Sequence, residues 1–182
     1  MNYKNYTPQE NEFFAENELI QIIPNFRENP FDFISGTFGP FRPGRPVTVP
    51  LWLAVYLKQR NKCQVQLPIW LDYDTLTKIK SIERENGETF SEYIPYYYFE
   101  MANLLFTHCS DEFAHLQKMK SVVEDIFELR KEKLVRMLKR VDPETPVKYL
   151  STAGSIELNT IRPAFTAAYT VAGQMQTILD NC

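Results

Sequence analysis

Histidine is scarce in this chain: His108 and His115 are the only two among 182 residues. On one continuous helix their spacing would set them roughly 10 Å apart along the axis, too far to share an ion. A histidine-based metal centre is therefore not expected, and a Cys–His or Ser–His nucleophile has little to draw on. The three cysteines, Cys63, Cys109 and Cys182, are an odd set at wide spacing, which fits reduced thiols better than a disulfide framework. Phosphate-cradling strings of the G-x-x-x-x-G-K-[ST] or G-x-G-x-x-G kind are missing, as is a G-x-S-x-G elbow. No apolar run approaches the ~18 residues needed to span a bilayer. The polar, acidic opening "MNYKNYTPQENEFF" has no basic stretch leading into an apolar one, so a soluble, intracellular protein is expected. Acids such as Glu12, Glu16, Glu18, Asp72 and Asp74 are plentiful, but solvation at the surface explains them without acid–base catalysis. A net charge of −3 gives no global field that would draw in a polyanion. The expectation is a protein that is no enzyme and binds no metal, cofactor, membrane or small-molecule substrate.

What is present is apolar material, at 44% of residues, with an aromatic share of 14%. The first fifty residues alternate in the manner of short strands: "ELIQIIP" is a β-branched run closed by proline, "FDFISG" sets Phe31 and Phe33 against Asp32, and Val47 and Val49 flank Thr48. A short helical stretch, "NEFFAENELI", precedes them. From Leu51 onward the period becomes helical, through "LWLAVYLKQRNK", "DYDTLTKIKSIER", "PYYYFEMANLLFTH", a long segment near 111–140, and "PAFTAAYTVAGQMQTIL". Asp72 or Asp74 is suited to cap the second of these helices, Pro95 to open the third and Pro163 to open the last. The stretch 141–155 reads as a mobile surface loop. The fold class is α+β and mainly α, with a small antiparallel β domain over residues 1–62 followed by a helical bundle domain over 63–182.

Between strands and helices lies "GPFRPGRPVTVP", with prolines at 40, 43, 46 and 50. Prolines have no N–H to offer an anion and each fixes its own φ, so the segment is neither a phosphate loop nor a flexible linker. It reads as a rigid joint, made of Phe38, Gly39, Pro40, Phe41, Pro43, Gly44, Pro46 and Pro50, with Trp52, Leu53 and Tyr56 packing between sheet and helices. The apolar run "LWLAVYL" and the adjacent rings of Tyr96, Tyr97, Tyr98 and Phe99 would cover all sides of a helix, which demands enclosure by this chain or by another. A partner surface is expected from Tyr96, Tyr97, Tyr98, Phe99, Met101, Leu105, Phe127, Leu134, Met137, Leu138, Phe165 and Tyr169.

Two basic spots remain. "LRKEKLVRMLKR" sets six cations against one acid, and "KQRNK" ends an earlier helix. A solvated helix end, favoured by the macrodipole, explains the pattern. An acidic protein partner or direct DNA or RNA contact would also use it, through Lys58, Arg60, Lys62, Arg136, Lys139 and Arg140.

The ordered series "LIQIIPNF", "FGPFRPGRPVTVPLWLAVYLKQRNKC", "PIWL", "ETFSEYIPYYYFEMANLLFTH" and "IELNTIRPAF" resembles the second Psf subunit family of the eukaryotic GINS complex. Tyr56 and Cys109 depart from that family's pattern, where Asn and Ala are usual. The resemblance implies a non-catalytic subunit of a heterotetramer with three other GINS subunits, each built from a helical and a small β domain, here with the β domain first. It further implies a place in the nucleus beside the Mcm ring and its Cdc-type partner in the replicative helicase, with DNA touched weakly or indirectly. A nucleic-acid-binding accessory protein using 58–62 and 129–140 is the alternative.

Overall fold

The structure, a computed structural model, describes residues 6–87, 89–138, 152–163 and 166–167. Helix α1 (Pro8–Ala15) opens on a capping box, in which the Thr7 hydroxyl accepts from the Glu10 N–H at 3.2 Å and the Glu10 carboxylate accepts from the Thr7 N–H at 2.8 Å. Strand β1 (Leu19–Pro24) then buries Ile20, Ile22 and Pro24 and turns Leu19 and Gln21 outward. The hairpin β2 (Phe31–Phe33) and β3 (Gly36–Phe38) forms a separate two-stranded ribbon. Strand β4 (Val47–Pro50) pairs antiparallel with β1 and runs directly into α2 (Leu51–Gln59). Pro50 offers no capping side chain to α2. The carbonyls of Glu18 and Glu16 accept instead from the N–H groups of Leu51 and Trp52, at 2.8 and 3.0 Å, so the lead into β1 closes the helix N-terminus.

Helix α2 stops where Asn61 takes a left-handed φ of 54°, with the Asn61 N–H donating to Lys58 and that of Lys62 to Leu57. The chain reverses into β5 (Cys63–Gln66), which buries Cys63 and Val65, exposes Gln64 and Gln66, and pairs antiparallel with β1. The sheet order is β4-β1-β5. Helical periodicity had masked this strand, and the sheet continues to Gln66, beyond the boundary expected at 62/63, because β1 needs a partner on its second edge.

The joint folds back on the sheet. Phe41 is fully buried, exchanges both backbone hydrogen bonds with Glu28 at 3.0 Å, and packs its ring on Phe26 and Phe31 at 5.3 and 5.0 Å. The Gly44 N–H donates to Pro24 at 3.1 Å. Gly39 has a φ of +122°, and a Cβ placed there would stand 3.0 Å from Pro30 Cα and 3.2 Å from the Phe41 ring.

Asp72 caps α3 (Tyr73–Glu85) through the N–H groups of Asp74 and Thr75. Helix α4 (Tyr98–His108) begins three residues after Pro95, which lies in the preceding turn. Tyr96 and Tyr97 therefore sit before the helix and the four rings do not fan around one axis. Helix α5 (Leu116–Leu138) buries a stripe of Met119, Val123, Ile126, Arg130 and Leu134, and α3 faces it with Leu76, Ile79 and Glu83. The last described helix, α6, is seen over 155–163 and again at 166–167, where the Thr166 hydroxyl donates to the Arg162 carbonyl at 3.0 Å, so Pro163 does not open it. Ala153, Gly154 and Ser155 are buried, which corrects the reading of 141–155 as surface loop at its end; 141–151 lies outside the described residues.

The charged members of these stripes meet. Arg130 Nη1 donates to Glu83 at 2.6 Å, its Nε to Glu157 at 2.7 Å, and its Nη2 to the Thr152 carbonyl at 2.8 Å. Lys133 pairs with the other oxygen of Glu83 and donates to the Thr89 carbonyl at 2.8 Å. Glu83 also accepts the Ser91 N–H, and Glu157 accepts from the Gly154 N–H and the Tyr98 hydroxyl. Two cations and two carboxylates, each at most 2% exposed, thus neutralise one another with their donors and acceptors engaged. Burial works against the charge on Arg130, but its bonds to Glu157 and the charges of Glu157 and Glu83 more than offset this and hold it above the ordinary guanidinium value. Arg130 and Lys133 are therefore not part of a solvated helix end.

Three outcomes are expected from urea unfolding. Glu157→Ala, which strands a buried guanidinium, should cost about 3–5 kcal/mol. Glu132→Ala, whose exposed partner Arg136 stands 3.9 Å away, should change stability by less than about 1 kcal/mol. Gly39→Ala should cost about 1–3 kcal/mol through its φ and the contacts its Cβ would meet. Equal effects of the two glutamate substitutions would remove the structural role given to the buried cluster.

Candidate interaction surfaces

Catalytic chemistry has little to work with among the described residues. No group of three or more His, Cys, Asp or Glu could hold a metal ion there. Burial pushes the thiols of Cys63 and Cys109 up to about 11 and about 12, which keeps both protonated near neutrality and poor as nucleophiles. His108 Nδ1 stands 3.2 Å from the Gln59 side-chain nitrogen, and no imidazole partner faces it. Glu100 on α4 is buried, accepts the Ser155 hydroxyl at 3.0 Å, and leaves Oε2 without a hydrogen bond; burial raises its carboxyl above the ordinary value. No described helix is long and apolar enough to cross a membrane.

The expected basic contacts divide. Lys58 Nζ lies 2.7 Å from Asp111 and 2.6 Å from Glu112, with its side chain only 10% exposed, so its charge is already spent on the chain itself. Glu112 also accepts the Val65 N–H at 3.2 Å, which knots β5 and α2 to the turn preceding α5. Arg60 places its guanidinium 3.6 Å from the centre of the Tyr56 ring. Lys62 is exposed, and Arg136 is exposed beside Glu132. Lys139 and Arg140 lie outside the described residues.

The expected partner residues divide too. Tyr98, Met101, Leu105 and Leu134 are at most 4% exposed and belong to this chain's own core, which corrects their assignment to a partner surface: α4 is the central helix, enclosed by α1, α2 and α5. Tyr97, Phe99, Phe127 and Met137 are half-buried, with the Phe99 and Phe127 rings 4.8 Å apart. Tyr96 is 47% exposed. Leu138 ends α5, its side chain outside the described ones, and Phe165 and Tyr169 lie outside the described residues as well. Sequence reasoning missed several open apolar groups: Phe13 on α1, Ile34 at the β2–β3 turn, and Ile69 before α3, exposed by 64%, 109% and 88%. Each has an apolar neighbour in sequence, Phe14, Phe33 and Trp70, so nothing in the linear pattern marks it as the one left outside.

In the joint, Phe41, Pro50 and Leu53 are buried, Phe38, Gly39 and Trp52 half-buried, and Pro40, Pro43, Gly44, Pro46 and Tyr56 exposed. Trp52 meets Phe33 edge-on at 5.1 Å, so the hairpin leans on α2. Between them opens a groove of about 620 Å³.

This β-first order agrees with what comparison of the sequence finds. Residues 7–66 match a family described as the PSF2 N-terminal domain, and residues 70–173 match the GINS complex protein helical bundle domain. The human DNA replication complex GINS protein PSF2 is 45% identical over 123 residues, covering 68% of this chain and 66% of the relative. The Xenopus laevis protein of that name is 36% identical over 93% of this chain and 92% of its own length, and the Schizosaccharomyces pombe one 35% identical over 88% and 85%. With both halves of the chain matched in order and full-length relatives covering most of it, this protein belongs to the PSF2 family of GINS DNA-replication-complex subunits.

Proposed function

We propose that this chain is a non-catalytic scaffold subunit of a heterotetrameric GINS complex, assembling in the nucleus with three other GINS subunits. In this reading the tetramer joins the Mcm ring and its Cdc-type partner as the replicative helicase in initiation and elongation, with the ATPase in the ring. The observation that carries it is family membership across both halves of the chain, coupled with apolar groups left at the surface once the core has formed. Phe13, Phe14 and Tyr6 are exposed and their rings form a chain, at 6.0 Å from Phe13 to Phe14 and 5.4 Å from Phe14 to Tyr6, whose N–H donates to Asn159 of α6 at 3.1 Å; Tyr96 is exposed as well. With Val135, exposed on α5, these groups are the surface we assign to neighbouring subunits, together with the half-buried Met137, Tyr97, Phe99 and Phe127. Direct DNA binding is the weaker reading, since Lys58 and Arg136 already face carboxylates.

Co-expression with three similar subunits should return four chains at equal stoichiometry by light scattering after size exclusion. Phe13→Glu combined with Tyr96→Glu should reduce recovery of the assembly by about tenfold, because burying two new charges opposes docking. A well-behaved monomer that ignores the other subunits would overturn the proposal.

A further inference from the structure

The groove between the β2–β3 hairpin and α2 has a floor of Phe26, Phe31, Phe33, Trp52 and Tyr56. Its shape is braced from below, because Phe26 and Phe31 rest on the buried Phe41 and Phe33 rests on Trp52. The rim is charged. Arg27 and Lys62 flank the opening, and neither has a carboxylate partner among the described residues. The one acid of the rim, Glu28, accepts the N–H of Asn29 at 3.3 Å. Between residues 25 and 62 six cationic side chains stand against two acidic ones, Glu28 and Asp32, while the whole chain carries a charge of −3. Asp32 accepts the Thr37 hydroxyl at 2.7 Å, and of the cations only Lys58 is tied down by carboxylates. An aromatic cleft thus opens into a local positive field on an acidic protein.

We infer that this groove docks an acidic protein segment carrying one or two large apolar side chains. The apolar groups fill the aromatic floor, which supplies the affinity, and the carboxylates meet Arg27 and Lys62, which sets direction and speeds encounter. Nucleic acid matches the surface less well. The ring of Tyr56 is already faced by Arg60 at 3.6 Å, which takes a face that a base would stack on. This rests on the scaffold reading but adds to it a surface and a partner class that subunit assembly does not require.

The test titrates the assembled complex into a fluorescein-labelled peptide of Asp and Glu with Phe and Leu at its centre, read by polarisation. Binding should weaken as salt rises, and should fall about tenfold or more in the Arg27→Glu, Lys62→Glu double variant and when Phe and Leu of the peptide become Ser. Both cations are exposed, so an unchanged melting curve is expected for that variant, and Tyr56→Ser, which removes one floor ring, provides a second. Equal binding of a lysine-substituted peptide, tighter binding of a labelled oligothymidine, self-association of the complex in place of peptide binding, or unchanged affinity in both variants would each overturn the inference. Normal four-subunit stoichiometry without peptide binding sinks this inference alone. A monomer that refuses its partners sinks the scaffold reading, and the same titration on that monomer then decides this one.

Discussion

Arg130 has no water to fall back on, and the helical half of the molecule is arranged around that fact. Its guanidinium reaches Glu83 on α3, Glu157 in the first turn of α6 and the Thr152 carbonyl, so one side chain on α5 fixes two other helices and the segment entering the last one. Each partner is itself committed elsewhere: Glu157 to Tyr98 of α4 and the Gly154 N–H, Glu83 to Lys133 and the Ser91 N–H. A greasy contact at this depth would tolerate sliding. A charged one tolerates a single register, since every displaced bond leaves an ion in low dielectric.

The β half is fixed by different means. It has too little chain for a core of its own, and it borrows one: α2 is capped by carbonyls from the lead into β1, and Phe41 of the joint is enclosed by Phe26 and Phe31. Lys58 and Glu112 then bind this half to the turn before α5. Both halves therefore use a buried or half-buried ion pair to set position and aromatic packing to supply cohesion. The result encloses the ring of Tyr98 and leaves those of Phe13 and Tyr96 exposed at the surface.

Much of this was legible from the residues. The alternation in β1, β2 and β4, the apolar helix after Pro50 and the cap at Asp72 each rest on local chemistry, and local chemistry survives in a linear string. β5 did not, because "KCQVQL" follows a helix without a proline or glycine and its partner β1 lies some forty residues upstream. Arg130 and Lys133 were hidden by company: in a run of six cations two buried ones look like the rest. Their acids lie 47 and 50 residues away at Glu83 and 27 away at Glu157. The signal that would have found them is positional, a charge standing four residues after Ile126 and four before Leu134 on an apolar stripe, faced by Glu83 four residues after Ile79. Tyr98, Met101 and Leu105 looked like surface for the opposite reason: with no view of α1, α2 and α5 around it, α4 seemed to have more apolar bulk than one chain could shelter, and Leu134 on α5 is covered by Phe90, Ala153 and Ile161 from distant segments.

The carboxylate of Glu112 occupying the Val65 N–H has an effect at longer range. An outermost strand ordinarily advertises a row of unpaired amides to any extended polypeptide nearby. Here one border of the sheet is plugged by a side chain from elsewhere in the molecule, and the opposite border, β4, is only four residues long, preceded by Pro46 and ending in Pro50. Lateral growth by strand addition is thereby discouraged on both flanks, so a chain held among many neighbours in a large assembly is kept from polymerising with its own kind through its sheet.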